Sequence, residues 1–204
     1  MFVISITGGI ASGKSALTEF LRPEAAAVVD ADVVAHQVIT PGGPAYQAVV
    51  DRFGPGILKV GGEVDRAALA GLVFDDPVAL ADLNSITHPV IAGVINDRLA
   101  DLRRTLPPAA IVILRAPLLL EAGLADVGDL NVVVTAPEGI RADRIVNFRD
   151  GTADEARKRM AAQMSDEERV KYADIVVENT SDLSELAAAA EKIVAAARQT
   201  RMER

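Results

Sequence analysis

The chain has 204 residues, half of them apolar, with a formal charge of −8, no Cys and only 3% aromatic residues. That is enough apolar material for one main core, which Val, Ile, Leu and Ala must fill. It excludes a disulfide framework, a thiolate metal site and a catalytic thiol. The acidic balance disfavours a nucleic-acid binder, whose affinity comes largely from neutralised phosphates. A small anionic ligand stays open, because Arg supplies most of the basic residues and suits bidentate phosphate recognition. The longest apolar stretches, residues 109–114 and 116–120, fall short of the roughly 18 residues of a membrane-spanning helix. Met1–Thr7 carries no basic leader. The expectation is a cytoplasmic chain without a membrane or nucleic-acid partner.

Residues 2–7 form an apolar run that ends at Gly8-Gly9 and reads as a buried strand. A helix is expected from about Gly13 through Ala16, Leu17 and Phe20, closed by Arg22-Pro23, and a second strand at Ala27–Asp30. Strand, helix and strand at this spacing make a βαβ unit and hence a parallel sheet. Further strands are predicted at Ala110–Leu114, Leu130–Thr135 and Asp174–Val177. Between the second and third lie helical patterns at Tyr46–Phe53, Arg66–Phe74 and Pro77–Leu102, punctuated by Gly and Pro turns. So long an insertion exceeds what a crossover needs and reads as a subdomain. A second, charged helical excursion covers residues 137–170, and Leu183–Arg198 reads as a closing helix.

Gly8-Gly9-Ile10-Ala11-Ser12-Gly13-Lys14-Ser15 matches the phosphate-loop pattern G-x-x-x-x-G-K-[ST] and sits where it should, between a strand and a helix start. Glycines permit backbone torsions that a side chain forbids, so successive N–H groups can converge on phosphate oxygens at the helix's positive end. Lys14 then reaches the β- and γ-phosphates and the Ser15 hydroxyl joins a Mg²⁺ shell. A chance glycine turn is the bland alternative, and the strand–helix context argues against it.

No Asn is followed by Lys, so the guanine-reading N-K-x-D of a regulatory GTPase is missing from the sequence. Of the second, third and fourth strands only the second ends in acid, at Asp30-Ala31-Asp32. That favours a small-molecule kinase, in which a carboxylate near the γ-phosphate receives the acceptor's hydroxyl proton. Asp30 and Asp32 also read as a solvated strand end or a helix cap.

The chain resembles the dephospho-CoA kinase family over nearly its whole length. The segments are Thr7–Ser15, Val29–Asp32 with His36-Gln37-Val38, Pro41-Gly42, Asp65–Leu69 leading to Val73-Phe74, Leu83–Pro89, Pro117–Glu121 and Ala173–Asn179. The resemblance implies ATP-dependent phosphorylation of the ribose 3′-hydroxyl of dephospho-CoA, the last step of coenzyme A synthesis, with ATP as co-substrate and Mg²⁺. It implies a three-layer α/β P-loop kinase fold: a five-stranded parallel sheet with a helical acceptor-binding subdomain and a helical lid, in a chain that leans to a monomer. Residues 1–35, 106–136 and 171–204 would form the nucleotide-binding core, 36–105 the acceptor subdomain and 137–170 the lid.

Carried over by position, Lys14, Asp32 and Arg144 are the catalytic candidates, Asp32 as general base with Asp30 in support or reaching the metal through water. Gly8, Gly9, Ile10, Ala11, Ser12, Gly13, Lys14, Ser15, Arg149 and Asn179 are candidates for ATP, and Ser15 for the metal. Asp32, His36, Arg66, Asn84 and His88 are candidates for the acceptor. Arg141 joins Arg144 and Arg149 as a possible lid cation, against the reading of a solvated helical face. His88 also reads as a structural hydrogen-bonding residue, Asn179 as a turn residue, and Tyr46 and Phe74 as subdomain core. His36 stands where the family often has Arg, and Arg115-Ala116 where it has apolar or acidic residues. Two alternatives remain: a P-loop kinase of a nucleoside or small alcohol, and a nucleotide-binding regulator without catalysis.

Overall fold

Phe2–Thr7 forms β1, buried at every position, the central strand of a five-stranded, all-parallel sheet in a computed structural model of the protein. The structure describes residues 1–74, 76–116, 127–148, 160–161, 163–180 and 183–202. The other strands are β2 (Ala27–Asp30), β3 (Ile111–Arg115), β4 (Leu130–Thr135) and β5 (Ile175–Glu178), in the spatial order β2-β3-β1-β4-β5. β1 pairs with β3 from Phe2↔Ile111 to Ile6↔Arg115, and with β4 from Ile4↔Leu130 to Thr7↔Val133. The sheet order reverses around β1: the chain moves first to one side and returns for β4 on the other. The carboxyl edge at such a point is where open α/β sheets bind ligands.

Alternation assigns each strand residue to a face. Phe2, Ile4 and Ile6 join Ile111, Ile113, Leu130, Val132, Val134 and Val177 in one core cluster. Two helices cover this face: α1 (Lys14–Leu21) through Leu17 and Leu21, and α8 (Leu183–Met202) through Leu186, Ile193 and Ala197. Val3, Val112, Leu114 and Val133 point the other way and are fully buried too. Burial on both faces makes the three-layer arrangement and explains why the strands read as continuous apolar runs. Phe20, expected on the buried stripe of α1, is instead 39% exposed, because that stripe runs through Leu17, Thr18 and Leu21.

The chain divides into two compact units, Met1–Asp30 with Arg98–Arg204, and Ala31–Asp97. Within the second, α2 (Ala31–Val38), α3 (Tyr46–Phe53), α4 (Arg66–Phe74) and the first part of α5 (Pro77–Thr105) follow one another. Its core holds Val49, Ile57, Val64, Leu69, Val73 and Ala79, with Tyr46 packed against it. Tyr46 donates its hydroxyl to the Gly62 carbonyl at 2.5 Å, so its ring serves the core; the side chain of Phe74 lies outside the described residues. Asp65 and Asp76 accept from the first free amides of α4 and α5, at 3.0 Å from Ala67 and 2.9 Å from Val78. These are side-chain caps for donors a helix start leaves unpaired.

The first unit boundary falls where α2 follows β2 directly, and the second lies within α5. By length and composition α5 could span a bilayer. It nevertheless buries Ala79, Ile95 and Leu99 and carries Asn84, Ser85 and His88 within. Leu17→Ala should lower unfolding free energy in urea by about 2–5 kcal/mol, whereas Val60→Ala, at a fully exposed position, should change it by less than about 0.5 kcal/mol.

Candidate functional site

The loop joining β1 to α1 has a backbone that few residues accept. Gly8 has φ 146°, Gly13 φ 108° and, between them, Ala11 φ 59°. Ala11 therefore carries a left-handed conformation without glycine's freedom, a strain held only by its surroundings. Three neighbours press on the loop. A Cβ on Gly8 would stand 2.1 Å from the Val134 carbonyl oxygen, one on Gly9 2.4 Å from Arg141 Nη2, and one on Gly13 2.0 Å from Asn179 Nδ2. At Gly8 both torsion and the backbone of Val134 demand glycine, at Gly13 the torsion does, and at Gly9 a side chain would have to displace the Arg141 guanidinium.

Lys14 opens α1 and turns its ammonium back over the loop, donating to the carbonyls of Gly8 and Gly9 at 2.7 Å each. The cation thus lies over the same backbone whose amides would face a phosphate. The Ser12 hydroxyl is fully buried and has no hydrogen-bond partner among the described residues. An orphaned donor inside a loop of this shape fits an anion binding there. The Ile10 amide is already engaged, donating to Gln163 Oε1 at 2.8 Å.

α6 (Glu138–Phe148) follows β4 and brings two arginines one turn apart to the loop's carbonyls. Arg141 Nε donates to Ile10 O at 3.0 Å, and its Nη1 pairs with Asp166 at 3.1 Å. Asp166 begins the short helix α7 (Asp166–Arg169) and also pairs, at 3.4 Å, with Arg169, which is fully buried. Arg144 donates to Ala11 O at 3.2 Å and to Asn179 Oδ1 at 3.2 Å. Asn179, just past β5, donates its amide to Ser12 O at 2.7 Å and its backbone N–H to Thr135 O at 2.8 Å. It is 4% exposed and ties β5, α6 and the loop together, more than a turn residue does.

On the other side of β1, sheet register sets Asp30 beside Arg115. Arg115 pairs with Asp30 through Nη2 and donates from Nη1 to Ser15 Oγ at 2.5 Å. Ser15 and Asp30 supply hard oxygens of the kind Mg²⁺ prefers, and among the described residues no group of three or more His, Asp or Glu could hold a metal alone. That donor set fits an ion shared with nucleotide phosphates. One turn beyond Ser15, hydrogen bonding from Arg22 holds the Glu19 carboxyl below its ordinary range, with the charges of Arg22 and Arg115 acting in the same sense.

The structure brings together Gly8 through Ser15, Arg141, Arg144 and Asn179. Asp32, His36, Arg66, Asn84 and His88 all belong to the Ala31–Asp97 unit. Asp32 and His36 are exposed one turn apart on α2, Arg66 is exposed at the start of α4, and Asn84 and His88 are half-buried one turn apart on α5. Arg149 and Pro117–Glu121 lie outside the described residues. Sequence reading missed Gln163 and Asp166, which no motif marks, and left Arg115 without a role.

The model of the family described as dephospho-CoA kinase matches residues 2–185. The chain is 43% identical to the dephospho-CoA kinase of Moorella thermoacetica, over 90% of this chain and 86% of that one. It is 42% identical to that of Corynebacterium glutamicum, over 96% of both. A solved structure from Thermus thermophilus superposes with a TM-score of 0.76 at 34% identity, covering 95% of this chain and 96% of that one. Gly13→Ala should weaken nucleotide binding at least about tenfold and destabilise the fold by about 1–3 kcal/mol, read by titration and by denaturation.

Proposed function

The chain belongs to the dephospho-CoA kinase family, and on that premise we propose that it transfers the γ-phosphoryl group of ATP to the ribose 3′-hydroxyl of dephospho-CoA, giving coenzyme A and ADP, the last step of coenzyme A synthesis. The observation that carries this is the strand–loop–helix at β1 and α1. Its preformed torsions, buried Ser12 hydroxyl and Lys14 ammonium make an anion cradle at the carboxyl edge of the sheet. The family match favours neither a nucleoside kinase nor a regulator without catalysis.

In the reaction the acceptor oxygen bonds to Pγ as the bond from Pγ to the β–γ bridging oxygen breaks. ADP leaves with the electron pair, and the hydroxyl proton passes to a carboxylate. Asp32 takes that role: it lies in the first turn of α2, two residues beyond the end of β2, with its side chain exposed. A carboxylate is too weak a base to ionise an alcohol beforehand, so it accepts the proton late, as the loose transition state forms. Most of the rate must then come from positioning and from cations around the phosphates. Lys14 supplies one by leaving the loop carbonyls for the β- and γ-oxygens. Ser15 with Asp30 would hold Mg²⁺ arriving with ATP, which would supply further charge neutralisation there.

Arg144 fastens the loop and the Asn179 amide, which supports a role in holding the nucleotide, with Arg149 as a further contact from the segment beyond α6. His36, Arg66, Asn84 and His88 contact the acceptor, in the unit that α2 through α5 build. Residues 137–170 act as a lid, supported by the contacts Arg141, Arg144 and Gln163 make with the loop. The acidic surface and two small-molecule substrates support a cytoplasmic enzyme acting as a monomer, without nucleic acid or membrane.

A coupled assay should show ADP release that depends on dephospho-CoA and is not supported by nucleosides. Asp32→Asn should lower kcat by about 10²–10⁴ with ATP affinity within a few-fold of the native value; retained turnover would remove Asp32 from the role. ATP together with dephospho-CoA should slow hydrogen exchange in residues 137–148 and 163–170 more than ATP alone, and equal protection would count against a substrate-gated lid.

A further inference from the structure

Arg115 is a cation built into the sheet at a place where phosphate chemistry needs a divalent ion. β2 and β3 are in register with Asp30 opposite Arg115, so backbone pairing brings the two side chains together. Both are largely buried, at 22% and 20% side-chain exposure. One terminal nitrogen of the guanidinium holds the Asp30 carboxylate and the other the Ser15 hydroxyl. A single planar group thus spans the two oxygens whose chemistry suits Mg²⁺. Ser15 follows Lys14, so this charge lies one residue along the chain from the ammonium assigned to the β- and γ-phosphates.

We propose that Arg115 is a positioning residue that substitutes for part of the divalent cation's charge, bridging Ser15 and Asp30 and lowering the dependence of ATP binding on Mg²⁺. This rests on the phosphate loop holding ATP. Two effects act in the same direction. With no metal bound, the guanidinium supplies positive charge beside the incoming phosphates. With metal present, two cations contend for the same two oxygens and repel each other. Each effect shrinks the gain in nucleotide affinity that Mg²⁺ brings, and linkage makes the gain reciprocal: ATP raises metal affinity less while Arg115 is present. A purely structural role for the Arg115–Asp30 pair would alter both affinities together and leave their ratio unchanged.

The test is direct titration of the full chain with ATP, in excess Mg²⁺ and in chelator, for the native protein, Arg115→Met and Arg115→Gln. The ratio of the metal-free Kd to the Kd with Mg²⁺ should be at least about fivefold larger in either neutral variant than in the native chain. Arg115→Lys, which keeps the charge but not the fork, should fall between. If one neutral variant does not fold, the other decides. A ratio unchanged or smaller in the neutral variants overturns the proposal while leaving the nucleotide site intact. Absence of ATP binding by the native protein in both conditions overturns the phosphate-loop reading itself, and this proposal with it.

Discussion

The fold's function depends on holding one short loop in a conformation it would not keep alone. Gly8 and Gly13 take their positive φ freely, but Ala11 at φ 59° stores strain, and most of the loop's carbonyls need donors from outside it. The surrounding elements supply both restraint and donors. Val134 closes over Gly8, Arg141 over Gly9 and Asn179 over Gly13. Lys14, Arg141, Arg144 and Asn179 between them donate to the carbonyls of Gly8, Gly9, Ile10, Ala11 and Ser12. The loop's conformation is thereby fixed before any phosphate arrives, although the Ile10 amide is held by Gln163 and the Ser12 amide by the Gly9 carbonyl. Pre-organisation of this kind is where a phosphoryl-transfer site gains most, since little of the barrier is lowered by covalent participation of the protein.

Local charge matters here more than the total. The chain carries a net −8, yet Lys14, Arg115, Arg141 and Arg144 all reach the loop or its first helical turn. Asp30 and Asp166 keep two of these guanidinium groups oriented. An acidic protein can therefore hold a tetra-anionic nucleotide, because interactions at a few ångströms, partly shielded from water, outweigh a dispersed surface charge screened within about 10 Å. The net charge remains a statement about the surface and its partners.

Parts of this were legible from residue order alone. A largely apolar six-residue run followed by the G-x-x-x-x-G-K-S pattern reads as a buried strand feeding a phosphate loop, and β1, the loop and α1 follow it. α3 to α5 were marked by their periodicity and by the Gly and Pro turns between them, whereas the caps that Asp65 and Asp76 supply appeared only in the structure. Pro89 did not end α5, which continues with Thr87 Oγ1 bonded to the Leu83 carbonyl at 2.8 Å just ahead of it. α2 was not assigned as a helix, although Asp30 and Asp32 read as a strand end or helix cap: Ala31–Val38 follows β2 with no Gly or Pro between, and its Val33-Val34 pair prolongs a β-like run. Positions acting across long sequence separations were the least visible. Arg115 and Gln163 reach the loop from more than 90 residues away, and no local spacing records such a contact; Asn179, equally distant, was singled out only by its place in the resemblance.

The most direct measurement is a crystal structure of the chain with a non-hydrolysable ATP analogue. The account predicts that Gly8, Ala11 and Gly13 keep their positive φ angles, and that the Lys14 ammonium leaves the Gly8 and Gly9 carbonyls for the terminal phosphates. A nucleotide bound elsewhere, or bound at the loop with Lys14 still on those carbonyls, would contradict it.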